Sequence, residues 1–176
     1  PGLPGERAIV MAVRLLMMIF SGDGLPTRER VTELIAAVDA AGDSGRPYIA
    51  LLQPMLTLFT DDSAAGLAAI AAARPHPDPW TDGMLLSLRA QIEENDGDAE
   101  GMMRDLTEAT AVLRTVGERW SLSLALGSYA DALTKRGRFD EATAALEESL
   151  RLTRELDPHD EPAFQQIWLA MMKARG

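Results

Sequence analysis

The amino-acid sequence predicts an all-α protein built from antiparallel helical hairpins. Alanine, the residue with the highest helix propensity, is abundant, as in the run 64–73. Only 5% of residues are aromatic, so few segments favour strands. Glycine and proline divide the sequence into segments of helical length with short connections, and such connections join antiparallel helices. Two of these segments also repeat at a spacing of 40 residues.

Four helices are predicted in the first half of the chain. Apolar residues recur there at three- and four-residue spacing, with Thr27 and Asp62 as N-caps. Pro54 should kink the third helix, and Pro75 ends the fourth. The expected ranges are 6–20, 27–41, 47–60 and 62–74. The proline-rich stretch 75–79 that follows is a rigid turn and the best internal boundary.

Five helices are predicted in the second half. Gly97, Gly117 and Gly137 separate the first four of them, and Asp157-Pro158 ends the fourth. The expected ranges are 80–95, 98–116, 118–136, 140–156 and 160–175. Loops this short between helices this long predict antiparallel hairpins.

Residues 80–116 align with 120–156. Seven of 37 aligned positions are identical: Trp80/Trp120, Leu86/Leu126, Ala90/Ala130, Gly97/Gly137, Leu106/Leu146, Glu108/Glu148 and Arg114/Arg154. In each unit an aromatic residue begins the first helix and a glycine ends it in left-handed geometry. Two superposable hairpins are therefore expected, with the two tryptophans in similar environments.

The second repeat, 120–156, has a small residue where the two helices meet (Ala130), a turn of the form Gly-x-aromatic-x-Glu-Ala at 137–142, and a small residue late in the second helix (Ser149). In these features it resembles the tetratricopeptide repeat. Leu126 stands where that family prefers tryptophan, and Pro158 comes about one turn late. The resemblance implies a right-handed solenoid with a concave groove lined by the first helix of each hairpin.

The chain also resembles, in its Arg- and Ala-rich style, the C-terminal repeat region of actinobacterial antibiotic-regulatory transcription factors. The repeat motif covers 80–156 well and 1–79 poorly. The resemblance implies one helical repeat domain, residues 1–176, with degenerate hairpins over 1–79, clear repeats at 80–117 and 118–158, and a further repeat beginning at 159–176. Because the chain starts at Pro1 without an initiator Met and stops after a helical pattern, we expect a fragment of a longer protein.

A function in binding follows from the resemblance: a protein- or peptide-binding segment of a larger signal-responsive transcriptional regulator in the cytoplasm. Other domains of the same chain could also be the partner. A small-ligand sensor of the same fold is the alternative, and an enzyme is the least favoured class. No catalytic residue, cofactor or metal ligand is predicted.

The family's groove positions carry over through the repeat alignment. They are Leu52, Met55 and Phe59 in the degenerate unit, Met84, Ser87, Gln91, Glu94 and Asn95 in the first clear repeat, and Leu124, Gly127, Asp131, Thr134 and Lys135 in the second. Chaperone-binding relatives use a basic clamp for acidic tails, whereas here Lys135 is the only basic residue in the set. The predicted partner segment is therefore apolar or basic.

Charge and composition exclude other classes. The chain has 17 basic and 27 acidic residues and a net charge of −10, with no basic stripe, so direct nucleic-acid binding is not expected. It has no cysteine for disulfide or thiolate chemistry. No apolar run approaches the ~20 residues that cross a bilayer, so no membrane association is expected.

Several polar motifs have simpler interpretations. Segment 96–101 has the oxygen spacing of a calcium loop, but Thr107 occupies the position of the essential glutamate. His76 and His159 have no ligand partner at helical spacing. The pairs Glu93/Glu94 and Glu147/Glu148 are interpreted as solvated helix faces.

The last predicted helix, 160–175, has an apolar stripe without an obvious partner. The stripe comprises Phe164, Ile167, Trp168 and Met171. Repeat arrays need a polar capping helix, and this stripe is not polar. Self-association through residues 164–172 is therefore expected.

Overall fold

A computed structural model describes residues 27–41, 47–58 and 62–156, together with helical positions at Glu6, Val10, Met11 and Ala170. These residues contain seven helices and no strand, which confirms the all-α class. The helices are α1 (Arg28–Ala41), α2 (Pro47–Thr57), α3 (Ser63–Ala73), α4 (Pro79–Asp96), α5 (Ala99–Val116), α6 (Arg119–Lys135) and α7 (Phe139–Leu156). Most of the predicted helices 6–20 and 160–175, including the stripe within 164–172, lies outside the described residues.

The predicted N-caps of α1 and α3 are confirmed. Thr27 Oγ1 accepts a hydrogen bond from the backbone N–H of Arg30 at 3.4 Å, and Asp62 Oδ1 accepts one from Ala65 at 3.0 Å. Each side chain satisfies a donor that the helix itself leaves unpaired. Pro54 lies inside α2, which ends at Thr57, three residues earlier than expected.

The chain divides into two compact units, Pro1–Thr81 and Asp82–Gly176. The core of the first unit contains the stripe predicted for α1. Val31, Leu34 and Val38 pack there with Leu52 and Leu56 of α2. Apolar burial of this kind holds the α1–α2 pair together.

Over residues 79–156, helix bounds repeat at the 40-residue offset. Helices α4 and α6 begin at 79 and 119, and α5 and α7 span 99–116 and 139–156. Gly97 and Gly137 have φ of 82° and 73°, so both glycines adopt the predicted left-handed conformation. Burial also agrees at most aligned positions, including Ala90/Ala130 and Leu106/Leu146.

The two tryptophans do not share one environment, contrary to expectation. Trp80 is half-buried, whereas Trp120 is 54% exposed. Helical periodicity explains the exposure, because Trp120 lies one turn from exposed Leu124 and on the opposite side of α6 from buried Leu122. The aromatic residue that begins each first helix is therefore not always buried in the core.

Among the helices that the structure describes, none combines the length and apolar character that crossing a bilayer requires.

Candidate functional site

The first helices of the two clear repeats, α4 and α6, carry most of the predicted groove positions. We call the side formed by Met84, Ser87, Gln91, Glu94 and Asn95 of α4, and by Trp120, Leu124, Gly127, Asp131, Thr134 and Lys135 of α6, the helix-A face. Trp120 was not predicted as part of it. All of these residues are partly or fully exposed.

An apolar end of the helix-A face lies on the first turns of α6. Trp120 and Leu124 are one turn apart and are 54% and 51% exposed. A Cβ placed on Gly127, a further turn along, would meet nothing within 4 Å. The first two turns of α6 therefore expose apolar surface, and no side chain of the described residues covers the neighbouring position of Gly127.

The other end of the helix-A face is charged. Lys135 Nζ pairs with Asp131 on its own helix at 2.6 Å and with Glu94 on α4. The hydrogen bonds that Lys135 donates to Asp131 and Glu94 raise the pKa of Lys135 above its usual range. Glu94 also accepts a hydrogen bond from Gln91 Nε2 at 2.9 Å. The structure thus brings together four predicted residues, and the two carboxylates outnumber the single ammonium.

Two predicted positions on these helices bond to their own backbone. Ser87 Oγ donates to the carbonyl of Gly83 at 3.0 Å, and Thr134 Oγ1 donates to the carbonyl of Ala130 at 2.8 Å. Such bonds satisfy the hydroxyl within the helix. Both side chains are half-buried and contribute shape to the helix-A face.

The groove positions predicted in the degenerate unit are placed differently. Leu52 is buried in the core of the first unit, and Met55 is half-buried and packs against the same core. Phe59 lies outside the described residues. Leu52 is therefore a core residue of the α1–α2 pair, because the face of α2 that carries it packs against α1.

A buried charged cluster between α4 and α5 corrects the prediction that Glu93 is solvated. Glu93 is 8% exposed and Asp105 is fully buried. Arg89 binds the Asp105 carboxylate with Nε and with Nη2, the latter at 2.8 Å from Oδ1. Arg104 donates from Nε to Asp105 and from Nη2 to Glu93 Oε1, both at 3.2 Å. Glu93, Asp105, Arg89 and Arg104 form a network that the sequence analysis did not identify.

Burial raises the pKa of Glu93 to about 7, and the negative charge of Asp105 adds to the rise. Arg104 and Arg89 oppose it. The repeat alignment contained a signal for this cluster: Arg89, Glu93 and Asp105 occupy the positions of Tyr129, Leu133 and Ala145 in the second hairpin. Charged residues at positions that are apolar in the neighbouring repeat indicate a polar interior.

A second ion pair links the two hairpins. Arg114 on α5 donates to both carboxylate oxygens of Glu148 on α7, at 3.1 Å and 2.6 Å. This hydrogen bonding lowers the pKa of Glu148 below its usual range. Glu148 is therefore also not a purely solvated residue. Since both residue types recur at the repeat spacing, the basic residue of one repeat binds the acidic residue of the next.

The calcium-like segment forms a helix start. Asp98 Oδ1 accepts a hydrogen bond from Gly101 N at 2.9 Å and caps α5. His76 Nδ1 accepts one from the backbone N–H of Asp78 at 3.1 Å. Within the described part of the chain, no group of three or more His, Cys, Asp or Glu residues is arranged to hold a metal ion.

Comparison with known proteins gives no match to a family model or to a curated protein.

Proposed function

We propose that the chain is a tetratricopeptide-like repeat segment that binds a protein or peptide partner on its helix-A face. One observation carries the proposal: Trp120 and Leu124 are about half exposed on one side of α6, next to the charged end formed by Glu94, Asp131 and Lys135. Exposed apolar side chains rimmed by polar residues are typical of interaction sites. The repeated helix bounds and turn glycines support the repeat architecture.

The chemistry of the face favours an apolar segment with a basic residue. Trp120 and Leu124 supply the apolar contact, and Glu94 with Asp131 exceeds Lys135 by one negative charge. Leu124 and Asp131 are seven residues apart on one helix, which is about 10 Å at 1.5 Å per residue. A partner helix with an apolar and a basic residue at that spacing would match both ends.

We further propose that this segment belongs to a larger signal-responsive transcriptional regulator in the cytoplasm. The support is the resemblance of the repeat sequence over 80–156. Sequencing of the whole coding region tests this assignment. A phosphate-binding loop or a winged helix encoded upstream would support the regulator, whereas an unrelated catalytic domain in that place would contradict it.

Fluorescence anisotropy with two labelled probe peptides tests binding to the face. One helical peptide carries two leucines one turn apart and two arginines seven residues further along. Its partner replaces the arginines with glutamates. The arginine peptide should bind more tightly, and Leu124→Ser should weaken it at least about tenfold, since the lost contact is worth about 1.4 kcal/mol.

Leu156→Ser is the matched control. Leu156 is 48% exposed, close to Leu124, but lies at the end of α7, outside the helix-A face. Binding should be unchanged in this variant. Equal weakening by both variants, or tighter binding of the glutamate peptide that Lys135→Ala abolishes, would contradict the proposal.

A further inference from the structure

The carboxylate of Glu93 is buried, and only one of its two oxygens accepts a hydrogen bond. Oε1 accepts from Arg104 at 3.2 Å and lies 4.0 Å from Arg89 Nε. Oε2 is buried and has no hydrogen-bond partner among the described residues. A buried anionic oxygen without a donor is costly, and a proton on it removes most of that cost.

The charges around Glu93 do not balance when every carboxyl group is ionised. Arg89 comes from α4, Arg104 and Asp105 from α5, and Asp98 from the connecting turn. Three carboxylates, including Glu93, then face two guanidinium groups. Both guanidinium groups already bind Asp105, and Asp98 is occupied in capping α5. With Asp98 counted beside the four-residue network, these five groups carry one excess negative charge, and Glu93 is the least satisfied of them.

The first turn of α5, which follows the α4–α5 connection, packs directly on this carboxyl group. A Cβ on Gly101 would lie 2.7 Å from Glu93 Cδ and 2.8 Å from its Oε1. The backbone carbonyl of Glu93 also accepts from Asp98 N at 2.8 Å, and that of Glu94 accepts from Gly97 N at 3.1 Å. The side chain and the backbone of residue 93 thus both contribute to closing the turn.

We propose that Glu93 is a proton-operated latch on the α4–α5 turn, closed when its carboxyl group is neutral and loosened when it ionises. The raised pKa of Glu93, about 7, agrees with this assignment. Opening the turn lets the ionised carboxylate reach water, so ionisation favours the open form. This inference does not depend on the proposed partner.

Loosening of the turn extends to the end of α6 through three contacts, which two residues make. Lys135 pairs with Glu94, which is adjacent to the latch, and Arg136 donates to the Ala99 carbonyl at 2.8 Å and to Glu100 at 2.6 Å. Lys135, at the charged end of the helix-A face, and the adjacent Arg136 therefore contact the two helix ends that the α4–α5 turn joins.

Amide hydrogen exchange of the full chain between pH 5 and pH 8 tests the latch. After correction for intrinsic exchange rates, opening of segment 97–101 should be compared with opening of segment 137–141. The second segment is an internal control, because Leu133 replaces Glu93 in its hairpin. The ratio should rise by up to about tenfold per pH unit between about pH 5 and pH 7, and level off above that.

Glu93→Gln should hold the ratio constant across the same range, because an amide is neutral throughout. Glu93→Leu introduces the residue found at the corresponding position of the second hairpin, and it should also hold the ratio constant. This variant replaces the glutamine variant in the experiment if the latter is poorly folded. A ratio that stays constant in the unaltered chain, or still rises in both variants, would overturn the inference. Neither result bears on peptide binding, which the anisotropy assay measures separately.

Discussion

Removal of Asp105 should destabilise the second unit strongly, and a paired change should restore it. Asp105 is fully buried and binds both Arg89 and Arg104. Breaking a buried ion pair costs roughly 3–5 kcal/mol, because one charge is left without its partner. The Arg89 side chain is 25% exposed, and Glu93 can accept from it, so we expect a smaller loss of about 2–4 kcal/mol for Asp105→Ala.

The second hairpin supplies the compensating change. Tyr129 and Ala145 occupy there the positions of Arg89 and Asp105. The double variant Arg89→Tyr/Asp105→Ala removes both charges together and should lie within about 1 kcal/mol of the unaltered protein, since apolar replacement of a buried pair is often neutral. The coupling free energy between the two positions should then be about 2 kcal/mol or more.

Urea unfolding followed by far-ultraviolet circular dichroism measures these free energies, with the m-values compared to check that the transitions are alike. The single variants Asp105→Ala and Arg89→Tyr complete the double-mutant cycle. If the double variant loses as much stability as the two single variants combined, the charged cluster is not a mutually dependent unit, and the argument from the repeat alignment fails.

Three further outcomes are expected. Glu93→Gln should add about 1–3 kcal/mol to the free energy of unfolding at pH 8 and nothing below pH 4.5. The native carboxyl group is destabilising only where it is ionised in the unfolded chain, and that penalty develops between pH 4.5 and about pH 7. Urea titrations across this range measure it, with Glu147→Gln as the control for charge loss at an exposed site. Gly83→Ala should lower the melting temperature through a loss of about 1–3 kcal/mol, because its Cβ would lie 2.8 Å from Leu113 Cγ. Gly127→Ala, with open space around it, should instead raise the melting temperature.

Helix positions in the second unit could be predicted from the sequence because their signals are local. Gly97 and Gly137 end their helices in a conformation that glycine adopts at little cost, and Asp98 caps the next helix within three residues. The predicted bounds of α4 to α7 therefore differ from the observed ones by at most one residue at each end.

The interior of the site could not be predicted in the same way, because burial depends on distant partners. Glu93 stands beside Glu94 near the polar end of α4, and nothing in that stretch distinguishes the two. Gly101 and Arg104, on another helix, contact the carboxyl group of Glu93, whereas that of Glu94 binds Lys135, which is 41 residues away. Local periodicity identifies the side of a helix but not the residues that will pack over it.

The capping of α4 and α6 shows that the repeat extends beyond the identical residues. Asp78 accepts hydrogen bonds from the backbone N–H and the hydroxyl of Thr81, at 2.8 Å and 2.7 Å. Forty residues later, Glu118 accepts the same two kinds of bond from Ser121. No residue in these pairs is identical, yet each acidic side chain satisfies its helix start in the same way. Conserved hydrogen bonding can thus maintain a helix boundary while both residues change.

The same reasoning explains how two hairpins with few identical residues share helix bounds. Gly83 faces Leu113 in the first hairpin, and the corresponding Ser123 bonds to Thr153 in the second at 2.8 Å. A small residue opposite a large one is thus replaced by two residues of intermediate size. Since caps and turn glycines fix the ends of each helix, interior residues can vary as long as the facing position changes with them.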